Sequence, residues 1–204
     1  MLFALSTWQV AADGPLLRLD ERLSRALVHP DRASDLLSDL GSVPVAVPVL
    51  AVAAVYAARR ARGSGTARWW LPAVAAGALM ALVAAVVVPV KELTGRPGTS
   101  VVPPGTGYFP SGHTATAAVA YGTAALLLWP WLTRAGLRRT VAAVAAALVL
   151  GTSYGLVRRG YHWPLDVVAS WCLGALLLNL FVLVVSRSSR RRSAGTPSSS
   201  NGPS

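Results

Sequence analysis

A chain of 204 residues with 53% hydrophobic content and a mean hydropathy of +0.50 is too apolar for an ordinary soluble domain and is sized for one membrane domain. Its formal charge of +11 lies in short arginine clusters between apolar runs, without aromatics interleaved on a polar face. That pattern argues against nucleic acid as a partner and for topology signals touching anionic lipid headgroups. The single cysteine, Cys172, stands inside an apolar run, which excludes an intrachain disulfide and argues against a redox role.

In chain order, residues 1–12 are apolar but too short to span, and no basic residue precedes Arg18, so a secretory signal peptide is not expected. A truncated first span fits better, with a simple surface anchor as the alternative. Leu16, Leu19, Leu23, Ala26 and Leu27 recur at helical spacing with charges between them, which predicts an amphipathic helix lying along the membrane surface. His29 before Pro30 reads as a helix stop, and residues 31–41 as a second amphipathic turn. Five spans follow, at 43–58, 69–90, 111–132, 140–157 and 165–185. The tail from Ser186 is Ser-rich, basic and expected to be disordered beyond its arginines.

The expected fold class is therefore an all-α polytopic membrane helix bundle with five spans, a truncated N-terminal segment and an interfacial amphipathic helix. Residues 1–41 form the N-terminal part, 42–186 the transmembrane domain and 187–204 the tail. Arginines at 59, 60, 62 and 68, at 134, 138 and 139, and at 187 and 190–192 all fall on one side if every segment crosses. The positive-inside rule makes that side, with the C-terminus, cytoplasmic. The other side carries two polar loops, Lys91–His113 and Arg158–Asp166, and the N-terminal surface helix near them.

These two loops carry the chemistry. The first holds the chain's only lysine, Lys91, and ends in Pro110-Ser111-Gly112-His113 at the start of an apolar helix. Ser111 can cap that helix, Gly112 lets a ligand approach the backbone, and free N–H groups there would attract an anion. In the second loop, Pro164 suits the first position of the last helix, which puts Asp166 in its first turn. Asp166 can accept from one nitrogen of His162, four residues back, so that the other nitrogen faces a substrate as nucleophile. His113 would then protonate a leaving alkoxide, while Lys91, nearby arginines and the Ser111/Gly112 backbone hold phosphoryl oxygens. Taken singly, Lys91 and Arg96 read as interface anchors, and Tyr161 and Trp163 as belt aromatics. Their convergence with two of the three histidines in two loops on one side favours a site.

These residues resemble the type 2 phosphatidic acid phosphatase family, which shares its site with vanadium haloperoxidases. The family pattern is Lys, six residues, Arg-Pro; then Pro-Ser-Gly-His; then Ser-Arg, five residues, His, three residues, Asp. Residues 110–113, and His162 with Asp166 inside Tyr161-His162-Trp163-Pro164, match it, and the resemblance covers about residues 40–185. It implies a phosphatase acting on lipid phosphates or pyrophosphates through a phosphohistidine, without metal or cofactor. The implied partners are the lipid substrate and membrane lipids. Two motifs depart from the pattern. The Arg-Pro pair is Arg96-Pro97, four residues beyond Lys91, and the Ser-Arg positions hold Gly155 and Leu156. Arg159, about 60° around the helix from Leu156, is the better-placed substitute, ahead of Arg158; both can equally be interface cations at a helix end. The missing arginines leave open a binding protein without turnover, and the phosphohistidine leaves open a phosphotransferase.

Overall fold

The computed structural model describes residues 1–193, and among them every regular element is helical. Residues 194–204, most of the expected disordered tail, lie outside the described residues. The helices are α1 (Leu2–Ala11), α2 (Leu16–Leu27), α3 (Arg32–Asp39), α4 (Val43–Gly63), α5 (Leu71–Thr94), α6 (Gly112–Leu128), α7 (Ala135–Arg159) and α8 (Pro164–Ser193), with a 3₁₀ turn over Trp129–Trp131.

Four of the five expected spans are found as helices that run past the C-terminal end of their apolar stretch, whereas the span expected at 111–132 is a shorter helix, Gly112–Leu128, followed by the 3₁₀ turn. α4 continues through Arg60 and Arg62, α5 takes Lys91 into its last turn, and α8 runs on to Ser193, so residues 187–193 are helical. For α4 and α5 the reason is that arginine and lysine are good helix formers whose long stems reach water from a helix end. Nor do the prolines break α4. Pro44 lies in the first turn, where no N–H partner is needed, and Pro48 forfeits only the bond to the carbonyl of residue 44.

By length and composition α4, α5, α7 and Pro164–Arg187 of α8 can each cross a membrane. α6 is shorter, at 17 residues, and its continuation adds a 3-residue 3₁₀ turn. Together these rise about 31 Å, close to the roughly 30 Å of a hydrocarbon core. α6 occupies the centre, packed by α4, α5, α7 and α8, with Ala115, Ala117, Val119 and Ala120 fully enclosed. Small side chains make that enclosure possible, because helices in lipid gain their stability from close backbone approach. The outer faces of the bundle present Val52, Val74, Leu150 and Leu176, all more than half exposed, as expected of a surface that meets lipid.

The N-terminal stretch shares this interior. α1 rises only about 15 Å, half a bilayer, and packs on α8 and α5, where Val10 joins Phe109 and Ala169 in a small apolar cluster. α2 turns Leu16, Leu19, Leu23 and Leu27 outward and buries Asp20 and Ser24 against the protein. The apolar stripe read from the sequence is thus the outward face, and the polar side is the one that docks. α3 lies along α7. Asp31 caps it by accepting from Ser34 N–H at 2.7 Å, and that bond, with the Arg158 guanidinium, holds the Asp31 carboxyl down at about 2.

Gly155 permits the α3–α7 contact. A Cβ there would stand 2.6 Å from the Ser38 nitrogen and 2.8 Å from the Ser34 carbonyl oxygen, backbone atoms that cannot turn aside. Replacing Gly155 by Ala gains up to about 1 kcal/mol of helix propensity, but the overlap costs about 1–3 kcal/mol. The net expectation is a lower melting temperature in detergent for Gly155→Ala. Gly77→Ala, where nothing lies within 4 Å of the added carbon, should leave it unchanged or raised.

Candidate active site

The antiparallel run of α4 to α8 brings the loop before α6 and the loop before α8 to the same end of the bundle. Among the contacts that join them, Trp163 Nε1 donates to the Pro97 carbonyl at 3.0 Å, Thr99 Oγ1 donates to the Gly160 carbonyl, and Arg96 reaches Asp166. The opposite end gathers arginines over tryptophans, with Arg60 on Trp131, Arg62 on Trp69 and Arg138 on Trp129.

At the loop end, α8 begins at Pro164 and sets Asp166 in its first turn, fully buried. Asp166 Oδ2 lies 3.0 Å from His162 Nδ1 and accepts the Trp163 N–H at 3.2 Å. Asp166 Oδ1 takes Arg96 Nη1 at 2.5 Å. The other end of the same guanidinium, Nη2, lies 2.5 Å from Asp20 Oδ2, and Asp20 Oδ1 accepts the Leu165 N–H at 2.8 Å. Arg96 also lies 5.3 Å from the centroid of Trp163. Two buried carboxylates therefore share one buried cation. Burial pushes the Asp20 carboxyl upward, against the downward pull of Arg96 and the Leu165 N–H.

The loop before α6 is locked from several sides. Ser111 N–H donates to the Asp166 carbonyl at 3.2 Å, and Ser170 Oγ donates to the Ser111 and Asp166 carbonyls. Ser111 Oγ accepts the Thr114 N–H at 3.3 Å, the expected cap. The Ser111 N–H is consequently not one of the free donors expected at this helix start. Gly107, at φ +84 in the left-handed region, turns its carbonyl onto Lys91 Nζ at 2.8 Å. His113, one residue past Gly112, is exposed and lies within electrostatic reach of His162, Lys91 and Asp39. Tyr108 meets the His162 ring edge-on, at 6.2 Å and 67°.

Behind His113 an apolar slot of about 550 Å³ runs between α4 and α5, walled by Val43, Val47, Met80, Val83, Ala84 and Val87. Gly112, His113 and Thr116 close its inner side.

The structure thus groups His162, Asp166, Arg96, Lys91, Ser111, Gly112 and His113 at one end. Arg158 and Arg159 are placed differently. Arg158 Nε lies 2.8 Å from Asp31 Oδ2 and Arg159 Nε 2.6 Å from Asp35 Oδ1, so both guanidiniums hold α3. Leu156, at the position where the family pattern has arginine, is buried in the core. Sequence reasoning missed Asp20. Its signal was available, as an acid on the polar side of an amphipathic helix expected beside the loops. Among the described residues no group of three or more His, Cys, Asp or Glu side chains is placed to hold a metal ion.

The sequence profile of the PAP2 superfamily matches residues 72–190, more than half of the chain. The chain belongs to the PAP2 superfamily. An undecaprenyl-diphosphatase from Sulfolobus acidocaldarius is 32% identical over 155 residues, 74% of this chain and 68% of that protein. The fold matches a transmembrane PAP2-type phosphatidylglycerolphosphate phosphatase from Bacillus subtilis, with a TM-score of 0.74 over 91% of this chain and 94% of the other, at 20% identity. With its long apolar helices, this PAP2 protein is a multi-pass membrane protein.

The shared guanidinium gives a direct test. Arg96→Met leaves two buried carboxylates facing each other with no cation, a change that typically costs about 3–5 kcal/mol. Unfolding of the purified protein in detergent should show a loss of that size.

Proposed function

We propose that this PAP2 protein is a lipid phosphatase that hydrolyses a lipid phosphate or polyprenyl pyrophosphate through a phosphohistidine, without a metal. The observation that carries the reading is His113 at the head of an apolar slot, on the same end of the bundle as the His162–Asp166 pair. The slot suits a hydrocarbon chain arriving from the bilayer, and the histidines suit a phosphoryl group at its end. The names of the two relatives, which concern an undecaprenyl diphosphate and a phosphatidylglycerol phosphate, support a substrate of this class.

Asp166 holds Nδ1 of His162, which leaves Nε2 to attack phosphorus. As the N–P bond forms, the P–O bond to the leaving group breaks, and His113 gives that oxygen its proton. Water then attacks the phosphohistidine, His113 takes a proton from it, and inorganic phosphate leaves with the N–P bond broken. Lys91 keeps two ammonium hydrogens beyond the one given to Gly107, and the Gly112 and His113 N–H groups precede the first intrahelical donor, the Ala115 N–H that bonds the Ser111 carbonyl, so these would meet the charged phosphoryl oxygens. Arg96 acts on Asp166 rather than on phosphate in this reading, and Arg158 and Arg159 act on α3. The arginine-rich end lies toward the cytoplasm, and the site faces the extracytoplasmic side.

Phosphate release from undecaprenyl pyrophosphate or phosphatidate should persist in EDTA and fall by at least about 10³-fold in His162→Ala, as expected when a nucleophile is removed. Turnover that His162→Ala leaves intact overturns the reading. Filling the slot with Ala84→Trp should raise KM for a long-chain substrate several-fold while leaving hydrolysis of a water-soluble aryl phosphate unchanged. Equal effects on both substrates would remove the slot from the lipid path.

A further inference from the structure

The proposed mechanism makes no use of Asp20, yet this carboxylate is 4% exposed and bonded to the same guanidinium as Asp166. It belongs to α2, which is joined to the bundle from outside the spans, and the pair is separated by 76 residues in sequence. A buried carboxylate on a surface helix is costly unless its partners are well placed. Asp20 has two such partners, Arg96 and the Leu165 N–H, and both lead to Asp166.

The chemistry of the guanidinium shows what Asp20 does there. An arginine beside a single carboxylate prefers the two-pronged fork, in which two N–H groups take both carboxylate oxygens. Here Arg96 meets Asp166 through Nη1 and Oδ1, because Nη2 is engaged by Asp20. Asp166 Oδ2 is thereby left to the His162 Nδ1 and the Trp163 N–H. Asp20 also fixes the first turn of α8, through the Leu165 N–H, one residue before Asp166. Two carboxylates against one guanidinium leave one unit of negative charge, which favours the positive ring that His162 becomes when phosphorylated at the other nitrogen.

We propose that Asp20 is a positioning residue for the His162–Asp166 dyad, acting through Arg96 by keeping one oxygen of Asp166 free for the imidazole. The proposal rests on the phosphohistidine reading for its catalytic consequence, but its geometric content does not depend on turnover. Asp20→Asn preserves size and an acceptor for the Leu165 N–H while removing the charge that holds Arg96. Asp20→Glu keeps the charge and serves as the second variant if the first does not fold.

The experiment uses the full chain in detergent and has two readouts. The first is kcat and KM for release of phosphate from phosphatidate in Asp20→Asn, Arg96→Lys and the double variant. Asp20→Asn should lower kcat by about 10-fold or more, the scale of a misplaced catalytic group, with little change in KM or melting temperature. The double variant should be no slower than Arg96→Lys alone, because both changes break one linkage. The second readout is the ¹⁵N spectrum of the His162 ring. Wild type should show the Nδ1–H tautomer, Asp20→Asn a mixture of both tautomers, and Asp20→Glu the wild-type pattern. An unchanged kcat in Asp20→Asn, losses that multiply in the double variant, or a His162 spectrum identical in wild type and Asp20→Asn overturns the proposal. If wild type releases no phosphate from any lipid, the hydrolase reading fails, and the tautomer measurement alone decides the role of Asp20.

Discussion

One guanidinium held between two buried carboxylates ties the loop end of this protein together. Arg96 comes from the loop after α5, Asp166 from the start of α8 and Asp20 from the surface helix α2, and none of the three side chains is more than 4% exposed. A buried ion triad of this kind adds little net stability compared with an apolar core, since desolvation consumes most of the attraction. Its effect is specificity of arrangement. Without Arg96 both buried carboxylates lose their cation, and without either carboxylate the guanidinium loses one of its two partners, so three segments far apart in sequence are held in one arrangement.

The bundle provides the frame on which that arrangement sits. The central helix α6 is rich in alanine and reaches its four neighbours at short range. Where side chains would keep helices apart, the chain has glycine: a Cβ at Gly41 would stand 2.5 Å from Thr152 Cγ2 and 2.6 Å from the His113 carbonyl oxygen. That contact brings the start of α4 onto the first turn of α6, and so close packing in the buried interior fixes where the His113 backbone stands.

The site has two halves with different electrostatics. The His162 half is buried with one cation, Arg96, set against the two carboxylates of Asp20 and Asp166, while the His113 half is exposed, lies beside Lys91 and opens onto the apolar slot. A nucleophile that has to keep one tautomer fits the first environment. A group that exchanges protons with a leaving group and with water fits the second. The family's second arginine position is taken by Leu156 in the core, and the nearby Arg158 and Arg159 clamp α3 to the bundle. Among the candidate site residues, the cation and backbone donors not committed to α3 or to Asp166 are accordingly Lys91 and the start of α6.

Composition and short spacing carried everything about this protein that is local. The apolar runs specified the helices of the bundle, because hydrophobic length is a local property. The interval of four between His162 and Asp166, with Pro164 between them, specified a histidine–carboxylate contact at a helix start. The cap by Ser111 followed in the same way. Tertiary structure alone decided the partners of the cations. Arg96, Arg158 and Arg159 each had several acids within reach of some fold, and the choice of Asp20 with Asp166, of Asp31 and of Asp35 was made by how α2 and α3 dock. The physical reason is that a helix's periodicity shows which residues share a face but not which neighbour that face will meet. For α2 the leucine stripe faced outward, and the polar side, carrying Asp20, turned into the site.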